Sequence, residues 1–339
     1  MRSLLHLVAI ALPLAWSVQA NMFLGGMVDA TVGRSMDASW PAARWLEMVH
    51  AGGPWSKFIS ASMAQLGTYD REGQLVASMS AYACGFNYAS GASVSRGLLV
   101  EFGTWAGGSM RCFAAGVNQT GHKHRAIGFD AFKAGFIKGN EQQLRGTRWW
   151  DPRKSAGEMQ KLDLEPIYNW NVQDVYPTVR AKRVNFNEKK KVDKELGASA
   201  LIDVFITDAA KHASTLVRDL STAAPYLRPG SILTFSDFGF YQSANDPPHN
   251  NQILFVFGQL VDGGTLRFLG VSGSYGYFAL AQIISRESVT SMLKAWKAKA
   301  STKGTCKAAK AAAIKALEAV APNAGMYESV IPSLHALGC

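Results

Sequence analysis

Four things are scarce in this chain of 339 residues, and each scarcity excludes something. The G-x-G-x-x-G dinucleotide fingerprint does not occur at the main glycine loop, where Gly103, Gly107 and Gly108 are spaced differently, so a dinucleotide site is not signalled there. A membrane-length apolar run is missing as well. The best candidate, within Met1–Ala20, is short and broken by Pro13, which argues against a spanning helix. Cysteine occurs only four times. Cys306 and Cys339 could close a loop near the C-terminus, Cys112 reads as a buried free thiol on a helix, and Cys84 has no evident mate. Finally, no acidic residue lies between Lys294 and Lys315, a stretch that carries seven lysines.

What is present begins with a targeting segment. Arg2 is the one charge in Met1–Ala20, the run is rich in Leu, Ala, Ile and Val, and Val18-Gln19-Ala20 offers the small residues a signal peptidase needs. A cleaved secretory signal and a periplasmic or extracellular destination are expected, an uncleaved membrane anchor being the alternative. The formal charge of +10 falls to about +9 once Arg2 is removed, and the seven lysines account for most of that. The basic character therefore belongs to the tail. Such a tail reads as a solvated Ala/Lys helix, or as a contact for polyanions or a membrane surface. No nucleic-acid-specific partner is expected, and the oligomeric state is left open.

The rest of the chain is organised around Leu98–Ser109. A short apolar run ends in Glu101, turns on glycines, and opens into a helix at Gly108-Ser109-Met110. Glycines at 103 and 107 would allow positive φ and the close approach of a ligand, and a helix N-terminus suits an anionic group. A second apolar run, Arg125–Asp130, again ends in an acid, at the point where doubly wound folds bind ribose hydroxyls. Ala200–Asp208 and Ser231–Asp237 repeat the design. Glu101, Asp130, Asp208 and Asp237 would thus share the carboxyl edge of one parallel sheet. Asp208 and Asp237 would end neighbouring strands about 4.8 Å apart, close enough to share a divalent cation.

These residues carry a resemblance. Val100-Glu101-Phe102-Gly103 with Gly107-Gly108-Ser109, then Gly128-Phe129-Asp130-Ala131-Phe132, resembles the class I S-adenosylmethionine-dependent methyltransferases, nearest the macrocin O-methyltransferase group. The resemblance implies an α/β fold with a doubly wound, mostly parallel seven-stranded sheet. It implies S-adenosylmethionine held by Glu101, Gly103, Trp105, Gly107, Ser109 and Asp130, and possible use of Mg2+ through Asp208 and Asp237. The acceptor would be a hydroxylated small molecule or sugar. Two acids of that family's pattern are absent: the second acid after the fourth strand falls on Ala210, and the acidic pair after the fifth reads Ser236-Asp237. His212 could replace the lost base if a helix starting near Asp208 put both on one face.

The chain divides into a signal peptide (1–20), an aromatic-rich helical cap (21–97), the methyltransferase-like domain (98–284) and a basic helical extension (285–339). Residues 133–176 read as an irregular insertion suited to a lid, and His249 is a second candidate base beside Asp237. S-adenosylmethionine is made in the cytosol, which gives a second reading its weight: a degenerate methyltransferase-like fold that serves as a secreted binding or scaffold module through its lysine tail.

Overall fold

Runs that are apolar on both faces become the inner strands of one sheet. The computed structural model describes residues 97–121, 124–133, 149–175, 177–238, 247–272, 275–300 and 302–320, with Asn87, Ser90, Gly91, Leu334, His335 and Leu337 beside them. The strands are β1 (Leu98–Phe102), β2 (Arg125–Asp130), β3 (Val179–Arg183), β4 (Ile202–Thr207), β5 (Leu227–Phe235), β6 (Leu266–Ser272) and β7 (Tyr275–Leu280). They form a seven-stranded sheet in the order β3-β2-β1-β4-β5-β7-β6. The first five are parallel, and β7 runs antiparallel to both β5 and β6. The mostly parallel, doubly wound α/β sheet implied by the resemblance is therefore what the chain forms. Its charged strand β3 lies at an edge, where Arg180 and Lys182 stay partly or fully in water.

Helix α1 (Gly108–Thr120) joins β1 to β2, and α2 (Ala156–Met159) and α3 (Glu165–Val172) precede β3. Then come α4 (Lys189–Leu196), α5 (Ala213–Ala223), α6 (Gln252–Phe255), α7 (Arg286–Ala300) and α8 (Lys303–Val320). Alternation along the strands divides the core in two. Val100, Phe102, Ile127 and Phe129 face one cluster with α5, α7 and α8. Leu99 and Ala126 face the other, with Met110, Phe113 and Tyr168. Phe102 packs edge-on against Phe129 and Phe205, with ring centroids 5.6 and 5.1 Å apart. By the same alternation Glu101 and Asp130 point to the second side, beneath α1 and α3.

Several elements depart from the sequence reading. Within the 133–176 insertion the chain forms one turn, α2, and starts again at α3 with Pro166 in its first turn, a favoured place for proline. Ile167, Tyr168 and Val172 of α3 are buried in the second cluster. That part of the insertion is core, not lid. After β5 the helical segment is in two parts: Asn251 Oδ1 accepts the Leu254 N–H to cap α6, and the chain widens into a π-helix over Val256–Val261. Nor does the basic tail stand apart, because Trp296, Ala300, Cys306, Ala309, Ala313 and Leu317 are buried in the first cluster.

The free thiol expected at Cys112 is corrected, since both Cys112 and Cys306 are disulfide-bonded. Among the described residues there is no free cysteine, and no helix is long and apolar enough to cross a membrane. The signal segment, nearly all of the expected cap, Cys84 and Cys339 lie outside the described residues.

Candidate active site at the carboxyl edge of the sheet

Between β1 and β4 the strand order reverses, which opens a crevice beyond the carboxyl ends of the strands. The loop over 103–107 sits there and is tied to both of the first two acids. Ser109 Oγ donates to Glu101 Oε2 at 2.6 Å. The Trp105 N–H donates to Asp130 Oδ2 at 2.8 Å, and the Phe132 N–H to Asp130 Oδ1 at 2.6 Å. One loop thus brings Glu101 and Asp130 together, and Asp208 lies within electrostatic reach of both. Asp130 acts first as a scaffold, because each of its oxygens already holds a backbone N–H.

The positive φ expected of the glycines is found. Gly103 and Gly107 have φ of 89° and 87°, yet what a Cβ would meet is protein. At Gly103 it would lie 3.0 Å from the Ala209 nitrogen, and at Gly107 2.9 Å from both Tyr168 Cδ2 and Val172 Cγ1. These residues let the loop settle onto the chain after β4 and onto α3. Among the described residues, the three non-glycine residues with positive φ are Trp105 (46°), Phe132 (53°) and Asp237 (53°). All three follow strands at this edge. Strain of this kind concentrates where surrounding structure fixes a functional geometry.

Glu101 is buried, and burial is the main cause that raises its pKa from 4.5 to about 8, with Ser109 opposing and the Asp208 and Asp130 charges adding. Burial also raises Asp130 against the two backbone hydrogen bonds. Tyr168 is buried beside them; enclosure, then the Glu101 charge, raises the pKa of its hydroxyl. That hydroxyl has no hydrogen-bond partner. Above the loop, α1 begins at Gly107 with no side-chain cap and no acid in its first turn. Beside the glycine loop there are therefore a protonatable carboxyl, a phenol and an uncapped helix N-terminus. That donor set fits a polar, zwitterionic ligand such as S-adenosylmethionine.

On the other side of the crevice Asp208 and Asp237 do come together, as their adjacent strands require. A residue the sequence reading passed over joins them. Lys211 Nζ donates to Asp208 Oδ1 at 2.9 Å and also to Asp237 Oδ2. Burial alone would depress the Lys211 pKa, but the attraction of Asp208 and Asp237 overcomes it and holds the ammonium above its ordinary value. Asp208 leaves 36% of its side chain open to the crevice, yet enclosure on the protein side raises its pKa, opposed chiefly by Lys211. Ser236 hydrogen-bonds Asp208, whereas Ala210 is fully buried and offers no oxygen.

The divalent-cation site expected at Asp208 and Asp237 does not fit this arrangement, because an ammonium already lies between the carboxylates. Among the described residues no group of three or more His, Cys, Asp or Glu could hold a metal. Nor is the helical pairing of Asp208 with His212 found. Helix α5 starts only at Ala213, so the four-residue spacing crosses a loop, and His212 is its N-cap residue, with its N–H donating to Thr215 Oγ1 at 3.0 Å. His249 belongs to a 3₁₀ turn whose backbone oxygen accepts the Trp296 Nε1 proton at 3.1 Å. Lys211 was legible as the third residue after a strand-end acid, but lysines at helix starts are common. Tyr168 gave no signal, because its role depends on the packing of α3 under the glycine loop.

Residues 100–238 match the family model described as a methyltransferase domain. No curated protein matches the chain. Among solved structures it is similar to CalS11, a TDP-rhamnose 3'-O-methyltransferase of calicheamicin biosynthesis, at 18% identity, covering 57% of this chain and 75% of that one, with a TM-score of 0.36. The O-methyltransferase NovP matches at 15% identity over 55% and 72% of the two chains, with a TM-score of 0.36. TomG from Streptomyces achromogenes, solved with S-adenosylmethionine, matches at 15% over 60% and 81%, again with a TM-score of 0.36. At these identities the assignment is carried by the sheet order and the family model. Residues 100–238 thus carry the match to a methyltransferase domain, on a seven-stranded, mostly parallel sheet of Rossmann-like fold.

Proposed function

We propose that the protein is an S-adenosylmethionine-dependent O-methyltransferase acting on a hydroxylated small molecule or sugar after export through the secretory pathway. The observation that carries the reading is the double tie of one glycine loop to Glu101 and Asp130, with Asp208 and Asp237 across the same crevice. When bound, S-adenosylmethionine supplies a methyl group on a positively charged sulfur.

The chain's own residues would divide the work in two. Glu101, Trp105, Ser109 and Asp130 shape the cofactor side, where Gly103 and Gly107 let the loop close, and the Tyr168 hydroxyl remains as a free donor. On the acceptor side Asp208, held in place by Lys211 and Ser236, takes the proton of the substrate hydroxyl, and a pKa raised by enclosure makes it the stronger acceptor for it. Asp237 and Lys211 fix its orientation. Transfer to oxygen asks little more than alignment and a place for that proton. The targeting segment and the disulfide-bonded Cys112 and Cys306 support an oxidising compartment, and the lysine tail offers a surface for polyanions or anionic membranes.

Calorimetric titration of the purified protein with S-adenosylmethionine tests the reading. Micromolar binding weakened at least tenfold by Asp130→Ala is expected. Absence of binding together with salt-sensitive attachment to a polyanion would replace the enzyme by the scaffold reading. N-terminal sequencing of exported protein should start at Asn21.

A further inference from the structure

We propose that the Lys211 ammonium is the resident cation of the acceptor site, holding the place a divalent metal would take, so that the site needs none. The inference rests on the acceptor-site reading above and narrows it to a metal-independent enzyme. Three observations support it. A single nitrogen bridges carboxylates delivered by two neighbouring strands, Asp208 after β4 and Asp237 after β5.

The charge count agrees with that geometry. Where the resemblance implies further acids the chain has Ala210 and Ser236, and Ser236 serves as a hydrogen-bond partner of Asp208. Taken by themselves, the two bridged carboxylates and the ammonium sum to a single negative charge. With fewer carboxylates to balance, the ammonium already offsets half of the charge of this pair. Third, Lys211 is held rather than dangling. Its side chain is 17% exposed, and its N–H donates to Thr215 Oγ1 at 3.1 Å, fixing the entry into α5. Among the charges that face it are Asp208 and Asp237, with His212 next in the chain.

Manganese titration of the full-length mature protein, followed by electron paramagnetic resonance, reads this directly with Mn2+ as the probe. The wild type should take up no Mn2+ at this site at millimolar concentration. Lys211→Ala removes the ammonium and exposes the carboxylate pair, so Mn2+ should bind at least about tenfold more tightly, and the gain should vanish when Asp237→Asn is added. Lys211→Arg keeps a cation and should stay refractory. Wild-type Mn2+ uptake that Asp237→Asn abolishes would overturn the proposal, as would a folded Lys211→Ala variant with no gain. The wild-type measurement stands even if the alanine variant fails to fold. S-adenosylmethionine binding, titrated in the same samples, reports separately on the methyltransferase reading: its absence sinks that reading while the Mn2+ result still decides the cation.

Discussion

Glu101 should make the unliganded protein lose stability as the pH rises through neutrality, and a single isosteric change should remove the effect. Its carboxyl titrates near 8 in the folded chain against 4.5 when exposed. Between those values the native state keeps a proton that the unfolded state has released. Unfolding is then favoured by raising the pH, so this group's penalty is absent below 4.5, grows through the interval and levels off above 8. At about 1.4 kcal/mol per pH unit the interval corresponds to at most about 5 kcal/mol, comparable to the whole stability of a marginal domain. Glu101→Gln cannot ionise, and its amide oxygen can still accept the Ser109 hydroxyl proton. Urea unfolding of both proteins from pH 5 to 9 isolates the contribution of Glu101 and its coupling to Asp208 and Asp130, because titrations away from this site cancel in the difference. The variant should gain on the wild type by several kcal/mol across the range. Asp208→Asn, which removes a repelling charge, should shift the wild-type transition to lower pH. Parallel pH profiles for wild type and Glu101→Gln would refute the claim that this carboxyl is both buried and ionisable.

Other consequences are open to direct measurement. Asp130→Ala leaves the N–H groups of Trp105 and Phe132 without their acceptor, and should cost about 2–5 kcal/mol in denaturant unfolding. Gly107→Ala combines a φ of 87° with contact against Tyr168 and Val172 and should cost well over 1 kcal/mol, whereas Gly121→Ala, at φ 68° with nothing within 4 Å of the added atom, should cost only about 1 kcal/mol. Alkylation of the denatured, unreduced protein followed by mass spectrometry should leave Cys112 and Cys306 unlabelled, and prior reduction should lower the melting temperature, each bridge contributing about 2–4 kcal/mol. Labelling of Cys112 without reduction would restore the free-thiol reading.

Much of the architecture was written locally. Leu98–Phe102, Ile202–Thr207 and Ile232–Phe235 are short, largely apolar runs rich in branched and aromatic residues and bounded by turn residues, the pattern of strands covered on both faces. Period-two alternation and the acids at their ends then suffice to place Glu101, Asp130, Asp208 and Asp237 on one edge. Helix boundaries were less legible where packing overrides propensity. The π-helix at Val256–Val261 carries Gly258 against α8, where an added Cβ would lie 2.6 Å from that of Ala309, a contact no local pattern announces.

Sequence order and hydrophobic pattern by themselves determined the sheet, its direction and the row of acids, because those depend on periodicity that any segment carries alone. Tertiary structure alone decided what each acid touches. The four-carbon stem of Lys211 reaches both Asp208 and Asp237 only because β4 and β5 are neighbours. Likewise Tyr168 becomes a wall of the glycine loop only because α3 folds under α1. Side-chain reach across strands distant in sequence is a property of the packed chain, and no local pattern encodes it.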